Sequence, residues 1–139
     1  LDFGTGFYLT SDFEQAKKWA IRTTSRREEG VPTISVFSFY EKDIEDLRTL
    51  SFEKADKEWL RYISKNRTNK LVIDEYDIVI GAMADDQIYN YISDFVDGTI
   101  TREQFWVLAK FKYPTHQINF CTNEALKCLK YRGCEEVDS

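Results

Sequence analysis

The sequence predicts a single α+β domain, and three observations carry that prediction. β-Formers and aromatics gather in strand-length runs at 7–9, 33–40, 76–80 and 117–121. Helical stripes opened by serine, threonine or aspartate lie between and around them, at 11–30, 56–65, 87–96 and 101–109. The two kinds of element follow no regular strand–helix–strand spacing, which argues against a doubly wound parallel fold. At 139 residues the chain is long enough for one hydrophobic core. No internal repeat or compositional break marks a second unit, so 1–139 reads as one domain.

Taken in order, Gly4 and Gly6 around Thr5 form a tight turn. Glycine reaches backbone angles closed to other residues and lets a ligand approach the main chain. The turn delivers the aromatic strand Phe7, Tyr8, Leu9. Ser11, with Glu14 three residues on, signals a capped helix bearing Phe13, Ala16, Ala20 and Thr23, with Trp19 beside them. Gly30 and Pro32 end it. The run 33–40 has apolar residues pointing both ways, the pattern of an inner strand covered on both faces. A helical turn at 43–46 and a short strand at 48–52 follow. The helix at 56–65 sets Trp59, Leu60 and Ile63 on one side. Residues 66–70 lack an apolar anchor and read as a loop, and 71–73 lead toward the sheet. The strand 76–80 is stopped by Gly81; Asp85 or Asp86 then caps a helix buried through Ile88, Ile92, Phe95 and Val96. Thr101 with Gln104 is a second capping box. After Tyr113 and Pro114, residues 117–121 form the last strand, and Thr122 caps a final helix carrying Ala125, Leu126 and Leu129.

Composition narrows the function. With 42% apolar and 31% charged residues the chain falls among soluble globular proteins. A net charge of -5 argues against binding a nucleic-acid backbone. Lys17, Lys18, Arg22, Arg26 and Arg27 do cluster, as a solvated helix face. Cys121, Cys128 and Cys134 are odd in number and lack short paired spacing, which gives neither a disulfide framework nor a zinc site. Reduced thiols in a cytoplasmic protein are the simplest reading. No metal is expected, since neither Asp85–Asp86 nor Glu75 and Asp77 has ligand spacing with a histidine. Glu75 and Asp77 read as solvent or rim charges. No apolar run approaches the roughly 20 residues that span a bilayer, and no signal peptide is visible. The chain opens at Leu1 without an initiator methionine, so it reads as a trimmed piece whose targeting information is missing.

The segment Phe3-Gly4-Thr5-Gly6-Phe7-Tyr8-Leu9-Thr10 resembles one in the diphtheria-toxin and poly(ADP-ribose) polymerase branch of the ADP-ribosyltransferase superfamily. The whole chain is more similar still to a family of small, uncharacterised bacterial domains in that superfamily. That likeness runs through residues 15–20, 76–81, 84–86 and 117–122, with Ala125 and Leu126, and so covers nearly the whole chain. It implies a split antiparallel β-sandwich with flanking helices, and NAD consumed as substrate. Toxin or effector use is conceivable by analogy. The superfamily's His-Gly at the end of a first strand has no counterpart here, because His116, the lone histidine, lies near the other end. Either the first strand is missing from this sequence, the favoured expectation because the chain opens in the middle of a motif, or the nucleotide pocket is incomplete.

On that resemblance Phe3, Gly4, Thr5, Gly6, Tyr8, Thr10 and Trp19 are candidate NAD-binding residues, and Gln117 and Tyr8 candidate catalytic ones. An aromatic behind a glycine turn offers a flat wall to nicotinamide; the plain alternative for Tyr8 is a core tyrosine. Trp19 stands eleven residues later, where a second aromatic completes the sandwich around that ring, and packing is its alternative. Ala16 falls where the polymerases carry a serine that bonds the nicotinamide amide, a bond no methyl group makes. Gln117 stands where catalytic members carry glutamate. Cleaving the nicotinamide–ribose bond develops oxocarbenium-like charge, which a carboxylate opposes. Glutamine can hydrogen-bond a ribose hydroxyl but is neutral and no general base; as a plain strand-end amide it would satisfy backbone groups instead. Asp85 and Asp86 are possible auxiliary carboxylates or simply helix caps.

Three functions remain open: ADP-ribose transfer from NAD to a protein, nucleic-acid or small-molecule acceptor, bare NAD hydrolysis, and a non-catalytic module binding a nucleotide or a protein. A plain interaction domain using the basic helix face against an acidic partner is weaker.

Overall fold

A computed structural model describes residues 3–68, 75–84, 86–109 and 116–138. The elements run β1 (Phe7–Thr10), α1 (Phe13–Arg27), β2 (Thr33–Ser38), α2 (Glu41–Ile44), β3 (Thr49–Ser51) and α3 (Lys57–Thr68). They continue as β4 (Ile78–Ala82), α4 (Asp86–Val96), α5 (Arg102–Leu108), β5 (His116–Phe120), α6 (Asn123–Leu126) and β6 (Lys130–Glu136). The expected lead-in at 71–73, the cap at Asp85 and the Tyr113–Pro114 turn lie outside the described residues.

Four strands join in the order β1-β5-β4-β3, while β2 pairs with β6 in a separate two-stranded sheet. The β1–β5 and β5–β4 pairings are antiparallel and β3 runs parallel to β4. The fold is α+β, with a mixed sheet and flanking helices; the parallel pair departs from the all-antiparallel sheet that the resemblance implies.

Side chains alternate along a strand, so register sorts them into faces. Tyr8 opposes Asn119 and Thr10 opposes Gln117, while Val79 and Gly81 of β4 continue the same two rows. Helices α3, α4 and α5 cover this face through the buried Trp59, Leu60, Ile63, Ile88, Ile92 and Phe105. On the other face Ile78 and Phe120 pack with Ala125 of α6, Ile44 of α2 and Phe39. The second sheet lies on that side: Phe37 meets Phe7 edge-on at 5.4 Å, and Phe39 meets Phe120 at 5.5 Å. Each large apolar side chain fully buried in these layers contributes about 1.5–3 kcal/mol.

Several expectations change. Asp12, not Ser11, caps α1, its carboxylate accepting from the N–H groups of Glu14 and Gln15. α3 carries on through residues 66–68, which the sequence reads as the start of a loop. β2 is no inner strand, for among the described residues it pairs with β6 alone, and Thr33, Ser35 and Val36 stay exposed. The run 33–40 looks double-sided because Phe37, and Phe39 just past the end of β2, reach across to the larger sheet. β4 does not stop at Gly81 but passes through it, with the rings of Phe3 and Phe52 standing where a side chain would be. β5 is not the last strand either: β6 follows, polar and bulged opposite Val36 and Phe37.

Candidate functional site

The candidate residues of the two distant segments meet where β1 lies on β5. Because cross-strand partners point to one side, Tyr8, Thr10, Gln117 and Asn119 share a face. Tyr8 and Gln117 are diagonal neighbours there, on the order of 7 Å apart.

The glycine turn folds back over this face and is tied to it by two side chains. The Tyr8 hydroxyl accepts from the Phe3 N–H at 3.0 Å and donates to the Gly4 carbonyl. From β5, Asn119 donates its amide to the carbonyls of Phe3 at 3.2 Å and Thr5 at 3.4 Å. Space is tight beneath the turn, for a Cβ added to Gly6 would stand 2.1 Å from Asn119 Oδ1. On β4, Gly81 leaves room for Phe3, whose ring tip lies 3.0 Å from where a Cβ would be. One residue from each of three strands thus seats the turn. Tyr8 does this by its hydroxyl, Asn119 by its amide, and Gly81 by having no side chain.

The expected NAD-binding residues are therefore not equivalent. Phe3 is 1% exposed, its ring stacks on Phe52 in the core at 6.3 Å, and its N–H and carbonyl are taken by Tyr8 and Asn119, so it anchors the turn from below rather than facing a ligand. Thr5 and Gly6 are exposed and Gly4 is half-buried. Tyr8 is half-buried and packs against the helical core. Thr10 donates to the His116 carbonyl at 3.2 Å and accepts from the Asp12 N–H, joining the end of β1 to the start of α1. Trp19 is 58% exposed on α1, and no ring contact joins it to Tyr8 among the described residues. Gln117 is 6% exposed, with Thr10 on one side and Gly81 on the other. Asp86 opens α4.

Past this row, Gln15 at the start of α1 reaches Met83 Sδ at 3.3 Å, bridging α1 to the end of β4. An open groove of about 750 Å³ lies elsewhere, between β3 and α3, lined by residues that include Phe52, Arg61, Tyr62 and Tyr76. None of the expected site residues lines it. Among the described residues no three His, Cys, Asp or Glu side chains gather as metal ligands. No helix among them is long and apolar enough to cross a membrane.

Two polar residues carry more of this architecture than the sequence suggests. Asn119 is 0% exposed; the available signal was an amide set between Ile118 and Phe120, two positions after Gln117 and so on the same face. Asp77 is buried, not a rim charge. Its carboxylate accepts from Thr122 Oγ1 at 2.7 Å and from the Arg48 N–H at 3.0 Å, and the Arg48 guanidinium stands 3.6 Å away. The Thr122 hydrogen bond, followed by that from Arg48, holds its carboxyl below the usual value of 3.8. Asp77 lies at the start of β4, at the opposite end of the sheet from Gln117, and ties together β3, β4 and the cap of α6.

The face around Tyr8 and Gln117 is thus able to offer a phenol ring, a hydroxyl and a neutral amide beside a turn of exposed main chain. It offers no histidine, since His116 is exposed and points to the other face by the alternation of β5. A family model described as "Protein of unknown function (DUF3990)" matches residues 1–131. No curated protein and no solved structure matches the chain.

Proposed function

The chain belongs to the DUF3990 family, and from that premise we propose that it transfers ADP-ribose from NAD to an acceptor, releasing nicotinamide. The observation that carries this reading is the register of β1 on β5, which puts Tyr8 and Gln117 on one face, the face on which the glycine turn is seated through Tyr8 and Asn119. These residues are 109 positions apart, and the reading requires them to converge. The ring contacts between the two sheets support the split β-sandwich that this activity would use.

In the proposed reaction the bond from ribose C1′ to the nicotinamide nitrogen breaks, and its electron pair leaves with neutral nicotinamide. The acceptor's nucleophile bonds to C1′ and gives up its proton. Tyr8, with the exposed Trp19, holds the nicotinamide ring. The amide of Gln117 holds a ribose hydroxyl, and the carboxylate that opposes the developing charge comes from Asp85, Asp86 or the acceptor. Where water is the acceptor, the outcome is NAD hydrolysis.

A second reading, a non-catalytic nucleotide- or protein-binding module, draws on two observations. Gln117 is neutral, and the Tyr8 hydroxyl already serves the fold. Incubating the full chain with NAD labelled on the adenosine side and on nicotinamide separates them. Label transfer or free nicotinamide supports the transferase. Saturable binding without turnover supports the module, and absence of binding by folded protein removes the transferase and the nucleotide-binding form of the module.

A further inference from the structure

The glycine turn has its carbonyls and its N–H groups on opposite sides. The carbonyls of Phe3 and Thr5 converge on the amide nitrogen of Asn119, and that of Gly4 accepts from the neighbouring Tyr8 hydroxyl. All three therefore point down into the sheet. No peptide bond here is cis, and in a planar trans peptide the N–H points opposite to the C=O of the same plane. The N–H groups of Gly4, Thr5 and Gly6 consequently point up and away from the sheet, and Thr5 and Gly6 lie on the exposed surface. None of the three has a hydrogen-bond partner among the described residues. A run of main-chain N–H groups turned one way forms a concavity for an anion.

A second observation separates this turn from an ordinary exposed loop. Asn119 is wholly buried, and its Oδ1, directly under Gly6, has no hydrogen-bond partner among the described residues. A buried acceptor left unsatisfied is costly, and an apolar side chain would pack beneath a turn without that cost. The amide is explained by what its other end does, which is to hold two carbonyls inward. We propose that the outward N–H groups of Gly4, Thr5 and Gly6 form a seat for a phosphate group, with Asn119 as its positioning residue. The seat rests on the NAD reading only for the identity of the natural ligand, which would place its diphosphate here. Its affinity for a phosphate group stands independently.

The test uses the full chain labelled with ¹⁵N and titrated with inorganic pyrophosphate at constant ionic strength. The expected result is a saturable shift of the Gly4, Thr5 and Gly6 amide signals. No shift there, or the same shift with chloride, overturns the proposal. Asn119→Leu keeps the approximate size of the side chain, adds no charge and has no group to donate, and it should weaken pyrophosphate by about tenfold or more, as expected for a lost positioning hydrogen bond. Tyr8→Phe, which frees the Gly4 carbonyl and the Phe3 N–H but leaves the Asn119 amide in place, gives a second reading if the first variant does not fold. Thr101→Ala, a remote helix-cap change, should leave the affinity as it was. Unchanged affinity in both turn variants removes Asn119 and Tyr8 from the assignment and overturns it. Pyrophosphate bound at these amides without nicotinamide release from NAD keeps the seat and rejects the transferase. Nicotinamide release with these three amides silent to pyrophosphate does the reverse.

Discussion

At the scale of single residues, Gly6 and Asn119 constrain each other. A methyl group at Gly6 would overlap a buried amide that cannot move without releasing the carbonyls of Phe3 and Thr5. Gly6→Ala should therefore destabilise the fold by about 1–3 kcal/mol, the usual cost of overpacking, read from urea denaturation midpoints at unchanged slope. Asp77 makes a prediction about acid. Its folded-state pKa lies below the ordinary 3.8, through Thr122 first and Arg48 second. The stability it supplies is then complete above the unfolded-state value and is lost as pH falls through the folded one. Between neutral pH and strong acid, the wild type should lose more stability than Asp77→Asn, and the two curves should converge at the acid end. Parallel curves would mean that Asp77 does not titrate differently on folding. Neither the packing of Gly6 on Asn119 nor the burial of Asp77 was legible beforehand. Gly4, Thr5 and Gly6 announce a turn by composition alone, but what lies beneath it comes from a strand more than a hundred positions away. Asp77 looks like a rim charge until Thr122 and Arg48 are brought to it.

Among the elements, helices were read best because their signals are local. Thr101 and Gln104 do form a reciprocal capping box, and Thr122 does cap α6. The α1 cap slipped by one residue because Ser11 and Asp12 both suit the position, and Asp12 reaches two N–H groups. Strands were read where apolar residues alternate or cluster, as in β1 and β5. β6 had no such signal: Lys130–Glu136 is nearly all polar and exposed, and it is a strand because β2 pairs with it. Gly133 is the one residue in it that carries a conformational instruction. It sits at the bulge with φ 113°, in open space where a side chain would meet nothing within 4 Å. Gly133→Ala should cost about 1–2 kcal/mol from backbone strain alone, seen as a lower thermal midpoint. A neutral result would show that the bulge relaxes to another register.

For the whole molecule, the decisive property is which face of the larger sheet each row occupies, and that follows from register across three strands. Alternation within Phe7–Thr10 and within His116–Phe120 separates two faces in each segment. Only their pairing says that the face bearing Tyr8 is also the face bearing Gln117. This is also why the charge of the residue at 117 is a test of function rather than of folding. Gln117 is buried, so a carboxylate placed there is desolvated and its pKa raised. If that row faces the ribose of NAD, Gln117→Glu supplies the charge that opposes the oxocarbenium-like transition state. Nicotinamide release should then rise by about a hundred- to a thousandfold, the worth of one preorganised electrostatic contact. The gain should grow with pH as the raised carboxyl ionises, while the wild-type rate shows no such step from residue 117. Gln117→Leu, of similar size and without hydrogen bonds, should fall below the wild type. The comparison is made on folded, NAD-binding samples, with far-UV circular dichroism as the check on folding. A glutamate variant no faster than wild type at any pH would mean that position 117 does not face the reacting carbon, and the transferase reading would fail with it.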